Sequence, residues 1–178
     1  TDTEVIAAAY DYRGDECLDY FDGMFSFAIW DTKEKQLFAA RDRFGEKPFF
    51  YHFDNNSFLF ASEMKALWAA GVPKTPNQKM LFNFITIGYT DNPEQPGETF
   101  FETIFKLPPA TSLKYKPETK QLEFEKYWDI DGEKENKKIT DNEATEQFSS
   151  LFSRSVKRRL RSDVSLGASL SGGLDSSS

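Results

Sequence analysis

Between residues 23 and 62 the chain repeats one device four times. GMFSFAIWD, KQLFAARDRF, KPFFYHF and SFLFAS are short runs rich in Phe, Ile, Tyr and Trp, separated by DTKEKQ, FGEKP and DNNS. Aromatic and β-branched runs bounded by turn residues spell strands. Phe25, Phe27 and Ile29 alternate with Ser26, Ala28 and Trp30. A period of two with small residues on the second face predicts a sheet covered on both sides. The expected arrangement is an antiparallel meander packed against helices, in an α+β fold. With 18 Phe in 178 residues there is material for a real core.

Helix signals flank the strands. Thr1 and Glu4 have capping-box spacing, Val5, Ile6 and Ala9 share one face, and Gly14 is a C-terminal stop. A helix cap at the first residue suggests that further chain precedes it. A second short helix is expected to carry Cys17, Leu18 and Phe21 as far as Gly23. EMKALWAAG, ending at Gly71, and residues 77–89 read as two more helices. DNPEQPGET is a Pro/Gly/acid loop that marks either a domain boundary or a crossover. KLPPATSLKYKP and QLEFEKYWDI are strands around a turn at Pro117 to Lys120. The polar segment DIDGEKENKKITD has the composition of a linker. Thr140 and Glu143 then open a helix whose stripe is Ala144, Phe148, Leu151, Phe152, Val156 and Leu160. The expected organisation is residues 1–128, a linker at 129–139, and the start of another domain at 140–178.

A net charge of −7 argues against a general polyanion binder. The cations at the end of the last helix, Lys157, Arg158, Arg159 and Arg161, read as complements to the helix C-terminus rather than as a nucleic-acid contact. One cysteine excludes an internal disulfide and a thiol pair for zinc. No apolar run approaches a membrane span, and TDTEVIAAAYDY lacks the basic start of a secretory signal. The reading is cytoplasmic, with the sequon Asn55-Asn56-Ser57 as a surface turn.

The chemistry gathers at the end of the chain. DVSLGASL runs like a buried strand into SGGLDSSS. Backbone N–H groups of a Gly-rich turn at a helix start cradle phosphate, and Gly172 and Gly173 let the main chain come close. Ser171, Ser176 and Ser177 add hydroxyls. Asp175 belongs in an anion site only if a divalent cation stands between it and the phosphates, which predicts Mg²⁺. No Lys follows the glycines, so this is no Walker A loop, and a pyrophosphate-releasing reaction is expected. The bland alternative is a flexible Ser-Gly-Gly tail.

Other candidates fail on the residues themselves. Asp129, Asp131, Gly132 and Glu133 lack the spacing of a calcium loop. His52 is the sole histidine, which rules out a Ser–His–Asp or Cys–His machine. Cys17 falls on an apolar helix side and reads as core. Arg41-Asp42-Arg43 is either an anion site or a structural ion-pair cluster at a strand end.

Taken together, these stretches resemble the glutamine-hydrolysing asparagine synthetase family. The resemblance lies in DTEVI, GMFSFAIWD, LFAARDRFGEKPFFY, LFASEMKAL, KLPP, YWDI and RRLRSDVSLGASLSGGLDSSS, in order along the chain. It implies an N-terminal-nucleophile (Ntn) glutaminase domain, a layered α/β/β/α sandwich that releases ammonia from glutamine. A synthetase domain would then use Mg-ATP to adenylate the aspartate side chain, and ammonia would displace AMP from the β-aspartyl-AMP so formed.

By the same resemblance Asp2 holds the α-amino group of glutamine. Leu170, Ser171, Gly172, Gly173, Asp175 and Ser176 form the ATP pyrophosphate loop, with Asp175 toward Mg²⁺. The family nucleophile is an N-terminal Cys whose own α-amino group is the base. That Cys, an Arg and an Asn-Gly segment belong upstream, so Thr1 is not assigned as a nucleophile and no residue here is assigned as catalytic. Most of the synthetase domain belongs downstream. These 178 residues alone are therefore expected to catalyse neither half-reaction and to bind Mg-ATP poorly. Unpaired sheet edges would favour self-association, a homodimer at its simplest. A relative with another carboxylate substrate, such as a β-lactam-forming synthetase, is the alternative. Ala110 stands where the family has Gly after KLPP, and Ala168-Ser169 replace larger apolar residues before the loop.

Overall fold

The structure is a computed structural model that describes residues 1–54, 57–135, 138–167 and 169–173. The chain divides into two compact units, Thr1–Ile130 and Asp131–Ser178.

The first unit opens with α1, Asp2–Arg13, and the capping box forms as the spacing requires, with Glu4 reaching back to Thr1. Gly14 ends the helix at a φ of 61°, a left-handed conformation that glycine adopts without steric cost. A 3-10 helix, Gly14–Tyr20, buries Cys17 and Leu18. It stops short of the helix expected through Phe21. The Phe21 ring is drawn away into edge contacts with Phe25 and Phe27, 5.5 and 6.0 Å between centroids.

All four aromatic runs are strands: β1 Ser26–Asp31, β2 Gln36–Arg41, β3 Phe50–Phe53 and β4 Phe58–Ala61. After α2, Met64–Ala69, and α3, Gln78–Ile87, come β5 Phe105–Lys106, β6 Thr111–Lys116 and β7 Gln121–Lys126. In the β1–β2 turn, Asp31 Oδ1 accepts from the backbone N–H groups of Lys33 and Glu34 at 2.8 and 3.0 Å. Asn77 caps α3 by accepting from Met80 N, and Gly88 closes it at a φ of 74°. The DNPEQPGET loop lies inside the first unit, between α3 and β5.

Every strand pairing is antiparallel, but the strands do not form one meander. They make two sheets, ordered β1-β2-β6-β7 and β4-β3-β5. β2 takes the distant β6 as its second neighbour, with Ala39 opposite Leu113. The segment between β2 and β3 leaves the first sheet and begins the second. Composition identified the strands; it held no information on which strand pairs with which, because that depends on contacts between distant parts of the chain.

Three apolar clusters set the layers. Phe38 and Ala40 face Cys17 and Leu18, with Ala9 and Tyr10 of α1 against them. The intervening Ala39 points the other way, to Phe49, Tyr51, Leu107 and Leu113 between the sheets. Phe50, one residue from Tyr51, joins Leu59 in a third cluster with Leu67 and Val72, which covers the second sheet with α2. Adjacent strand residues thus enter different layers, as a pleat demands. The order is helix, sheet, sheet, helix; β2 and β3 are covered on both faces, while β7 stays mostly exposed.

In the second unit α4 spans Asp141–Arg159. Thr140 Oγ1 accepts from Glu143 N, and Glu143 accepts from Thr140 N at 2.9 Å. No residue of α4 is buried, and Phe148 and Phe152 stack on each other in its exposed stripe. The buried strand expected over DVSLGASL is not there among the described residues. Val164 is 74% exposed and Leu170 76%, in irregular backbone. A buried strand takes its hydrogen bonds from neighbours, and no described residue of this unit is in a strand.

Candidate functional site

Asp2 occupies the first turn of α1, where the helix dipole favours an anion, and it is exposed. One turn on, at i+4 and so on the same face, Ile6 lines a cleft of about 270 Å³ with Met24, Phe25, Ser26, Lys47, Pro48 and Ser62. These residues come from the entry to β1, the RDRFGEKP segment and the end of β4. Asp2 thus stands one helical turn from a residue that lines a cleft with a lysine and two serines. Of these residues the family resemblance points to Asp2 alone. The signal for the others was present, since each lies in one of the motifs that carry the family resemblance.

The RDRFGEKP segment is built from within. Asp42 is fully buried. Its Oδ1 accepts from Phe44 N and Glu46 N at 3.1 and 3.0 Å, and its Oδ2 from Lys47 N at 2.9 Å. Burial pushes the carboxyl up, but the N–H groups of Lys47, Glu46 and Phe44 outweigh it and hold Asp42 below its ordinary range. Arg41 donates to three carbonyls: Lys47 and Leu107 at 2.7 Å and Gly45 at 2.5 Å. Burial lowers its guanidinium, opposed by Asp42. Arg43 donates to the Phe21 carbonyl. A Cβ on Gly45 would sit 3.0 Å from Pro109 Cγ and 3.1 Å from Arg41 Cζ, so glycine is required there. Among the described residues Arg41-Asp42-Arg43 is a backbone-binding cluster at the strand end rather than a salt-bridge network. Its charges bind backbone.

The proposed phosphate loop is described as far as Gly173. Leu170, Ser171, Gly172 and Gly173 are exposed, with Gly172 at a φ of 78°. Among the described residues nothing lies within 4 Å of where a Cβ on Gly172 would stand. Asp175 and Ser176, with Ser177, lie outside the described residues, as do Ala168 and the sequon residues Asn55 and Asn56.

The discounted candidates fall into structural places. Cys17 is fully buried, and burial, with the Asp15 charge nearby, pushes its thiol up to about 11. His52 is buried in β3, with Nδ1 2.7 Å from the Thr103 carbonyl and Nε2 3.3 Å from Asp54. No cluster of metal-ligating side chains occurs among the described residues. A larger cleft of about 430 Å³ opens at the other end of α1. Three of the acids that line it are engaged: Asp11 with Lys33 at 2.9 Å, Asp15 with Lys114, and Asp31 with its own turn.

Two stacked antiparallel sheets between helices, with an acid at the head of α1, define a class. A family model described as glutamine amidotransferase domain matches residues 1–128, and the chain belongs to that family. The layered architecture is consistent with the Ntn glutaminase fold. A second model, asparagine synthase, matches residues 147–178.

Among curated proteins the chain is similar to glutamine-hydrolysing asparagine synthetase 3 of Bacillus subtilis strain 168. That match is 39% identical over 99% of this chain and 28% of the relative. It is also similar to a putative glutamine-hydrolysing asparagine synthetase 2 of Methanocaldococcus jannaschii, 36% identical over 99% of this chain and 34% of that protein. Glutamine-hydrolysing asparagine synthetase 2 of Bacillus subtilis is 34% identical over 99% of this chain and 24% of its own length. The chain thus spans between 24% and 34% of the length of these relatives. No helix among the described residues is long and apolar enough to cross a membrane.

Proposed function

We propose that the chain carries glutaminase and ATP-binding segments of a glutamine-hydrolysing asparagine synthetase. The whole protein would be a cytoplasmic ligase that takes ammonia from glutamine and uses Mg-ATP to convert aspartate to asparagine, releasing AMP and pyrophosphate. The observation that carries this reading is the order of the two family matches on one chain: amidotransferase over 1–128, then asparagine synthase over 147–178.

Each residue has a task in that reaction. Asp2, at the head of α1, holds the α-ammonium of glutamine beside the cleft that Ile6 lines. The buried Phe38 and Ala40 support α1 from below. The backbone N–H groups of Gly172 and Gly173 meet the phosphates of ATP, and Ser171 adds a hydroxyl. The open surface at Gly172 suits such a ligand. Asp175 is the acid that would carry Mg²⁺, which supplies the positive charge that lets a carboxylate and phosphates share a site.

The test is product stoichiometry in the full-length protein. Given glutamine, aspartate and Mg-ATP, it should form asparagine, glutamate, AMP and pyrophosphate in equal amounts. Asparagine replaced by another amide, or ADP in place of AMP, overturns the reading. Asp2→Asn should raise the KM for glutamine and leave ATP use with ammonium salts intact.

A further inference from the structure

Two parts of the lining of the cleft beside α1 are bonded to one buried residue, Asp42: Lys47 through its carboxylate and Phe25 through its backbone N–H. Lys47 and Pro48 line the cleft together with Phe25 and Ser26. Asp42 Oδ2 accepts from Lys47 N at 2.9 Å, while Asp42 N donates to the Phe25 carbonyl at 2.9 Å. Arg41 holds the same segment from the other side, donating to the Lys47 and Gly45 carbonyls. The pair is itself anchored: Tyr127 Oη donates to the Arg41 carbonyl at 2.7 Å, and Ala110 N donates to the Asp42 carbonyl at 2.9 Å. A loop whose N–H and C=O groups are met by two half- or fully buried charges has one accessible conformation.

We infer that Arg41 and Asp42 are positioning residues for glutamine: they set the Lys47–Pro48 wall against Phe25 and Ser26, and so fix the width of the cleft beside Asp2. The inference rests on the reading of that cleft as the glutamine site. Neither side chain touches the substrate. Their effect runs through the backbone of residues 44–48, and a misplacement of an ångström in a substrate wall is felt strongly in turnover.

The experiment uses the full-length protein and measures glutaminase kinetics beside thermal melting. Asp42→Asn keeps the shape but turns an amide N–H₂ toward at least one backbone donor. It should raise the KM for glutamine about tenfold or more at a temperature where melting shows the variant fully folded. Arg41→Lys keeps the charge but cannot reach three carbonyls at once, and it should give a smaller rise in the same direction. Arg41→Ala should be restored in part by millimolar guanidinium, with KM falling back as the ion fills the space. That outcome supports positioning, since general destabilisation is not relieved by a denaturant. An unchanged KM in folded Asp42→Asn and Arg41→Lys overturns the inference, as does a fall in rate that only tracks the folded fraction. Asp2→Asn separates the two failures. If it leaves KM unchanged, the reading of the cleft fails; if it raises KM while the Arg41 and Asp42 variants do not, only the positioning role fails.

Discussion

The two units of this chain solve the same problem in different ways. In Thr1–Ile130, Phe38, Leu107 and Leu113 are fully buried and each layer is sealed by residues from distant parts of the sequence. In Asp131–Ser178, α4 is held by its capping box, and its apolar stripe stays exposed. Local hydrogen bonding suffices to make a helix, whereas a core needs partners. The difference shows most clearly in two segments that both read as strands. SFAIWD became a strand because β2 lay beside it, while DVSLGASL, without a described strand neighbour, stayed irregular.

The largest test of this contrast is a pair of phenylalanines. Phe38→Ala should destabilise the first unit by about 3–5 kcal/mol, because it empties a fully buried site. Phe148→Ser on the exposed stripe should change stability by no more than about 0.5 kcal/mol. Urea unfolding of both variants measures the difference, and equal losses would break the comparison.

Next comes the buried carboxylate. Asp42→Asn should cost about 1–3 kcal/mol, since a backbone donor loses its acceptor in a buried place. The sign with pH follows from its lowered value. The contribution of the ionised group is complete above about pH 4, the unfolded value, and is lost as pH falls through the lower folded value. A series of melting temperatures from neutral to acid pH should therefore fall less steeply below about pH 4 in Asp42→Asn than in the parent. Parallel curves would show that Asp42 is not held ionised by the loop.

The second unit answers to its cap instead. Thr140→Ala should weaken α4 by about 1 kcal/mol, seen as lost helical circular dichroism at 222 nm on mild warming. The same change should leave the near-ultraviolet signal of the aromatic layers unaltered. If the first unit melts with it, the two are not separate in stability.

The smallest effect is at Ala110, whose φ of 52° is in the left-handed region. An alanine there carries a strain that glycine avoids, but glycine has more backbone freedom to lose and gives up a buried methyl. Ala110→Gly should raise stability by about 0.5 kcal/mol, read as a small rise in the urea midpoint. A fall would mean that the buried methyl outweighs the backbone strain.

Much of this was legible along the chain. Thr1 with Glu4 and Thr140 with Glu143 announced two helix starts, and period two in Phe25, Phe27 and Ile29 announced a sheet with two covered faces. Cys17 as core also followed from the apolar pattern around it. The cleft was less legible: Asp2 came from a family resemblance, and Lys47 and Ser62 were hidden in motifs quoted for their likeness alone.

What the sequence determined by itself is what depends on neighbours within a few residues: caps, turns and strand-forming runs. These are set by backbone hydrogen bonds and steric rules that act over one turn or one pleat. The tertiary structure alone decided that the strands among the described residues split into two sheets and that Asp42 directs its charge at Phe44, Glu46 and Lys47. It also decided that Val164 and Leu170 stay in water. Each of those outcomes turns on which distant groups arrive to cover a surface or to fill a hydrogen bond, and no local pattern encodes the arrival.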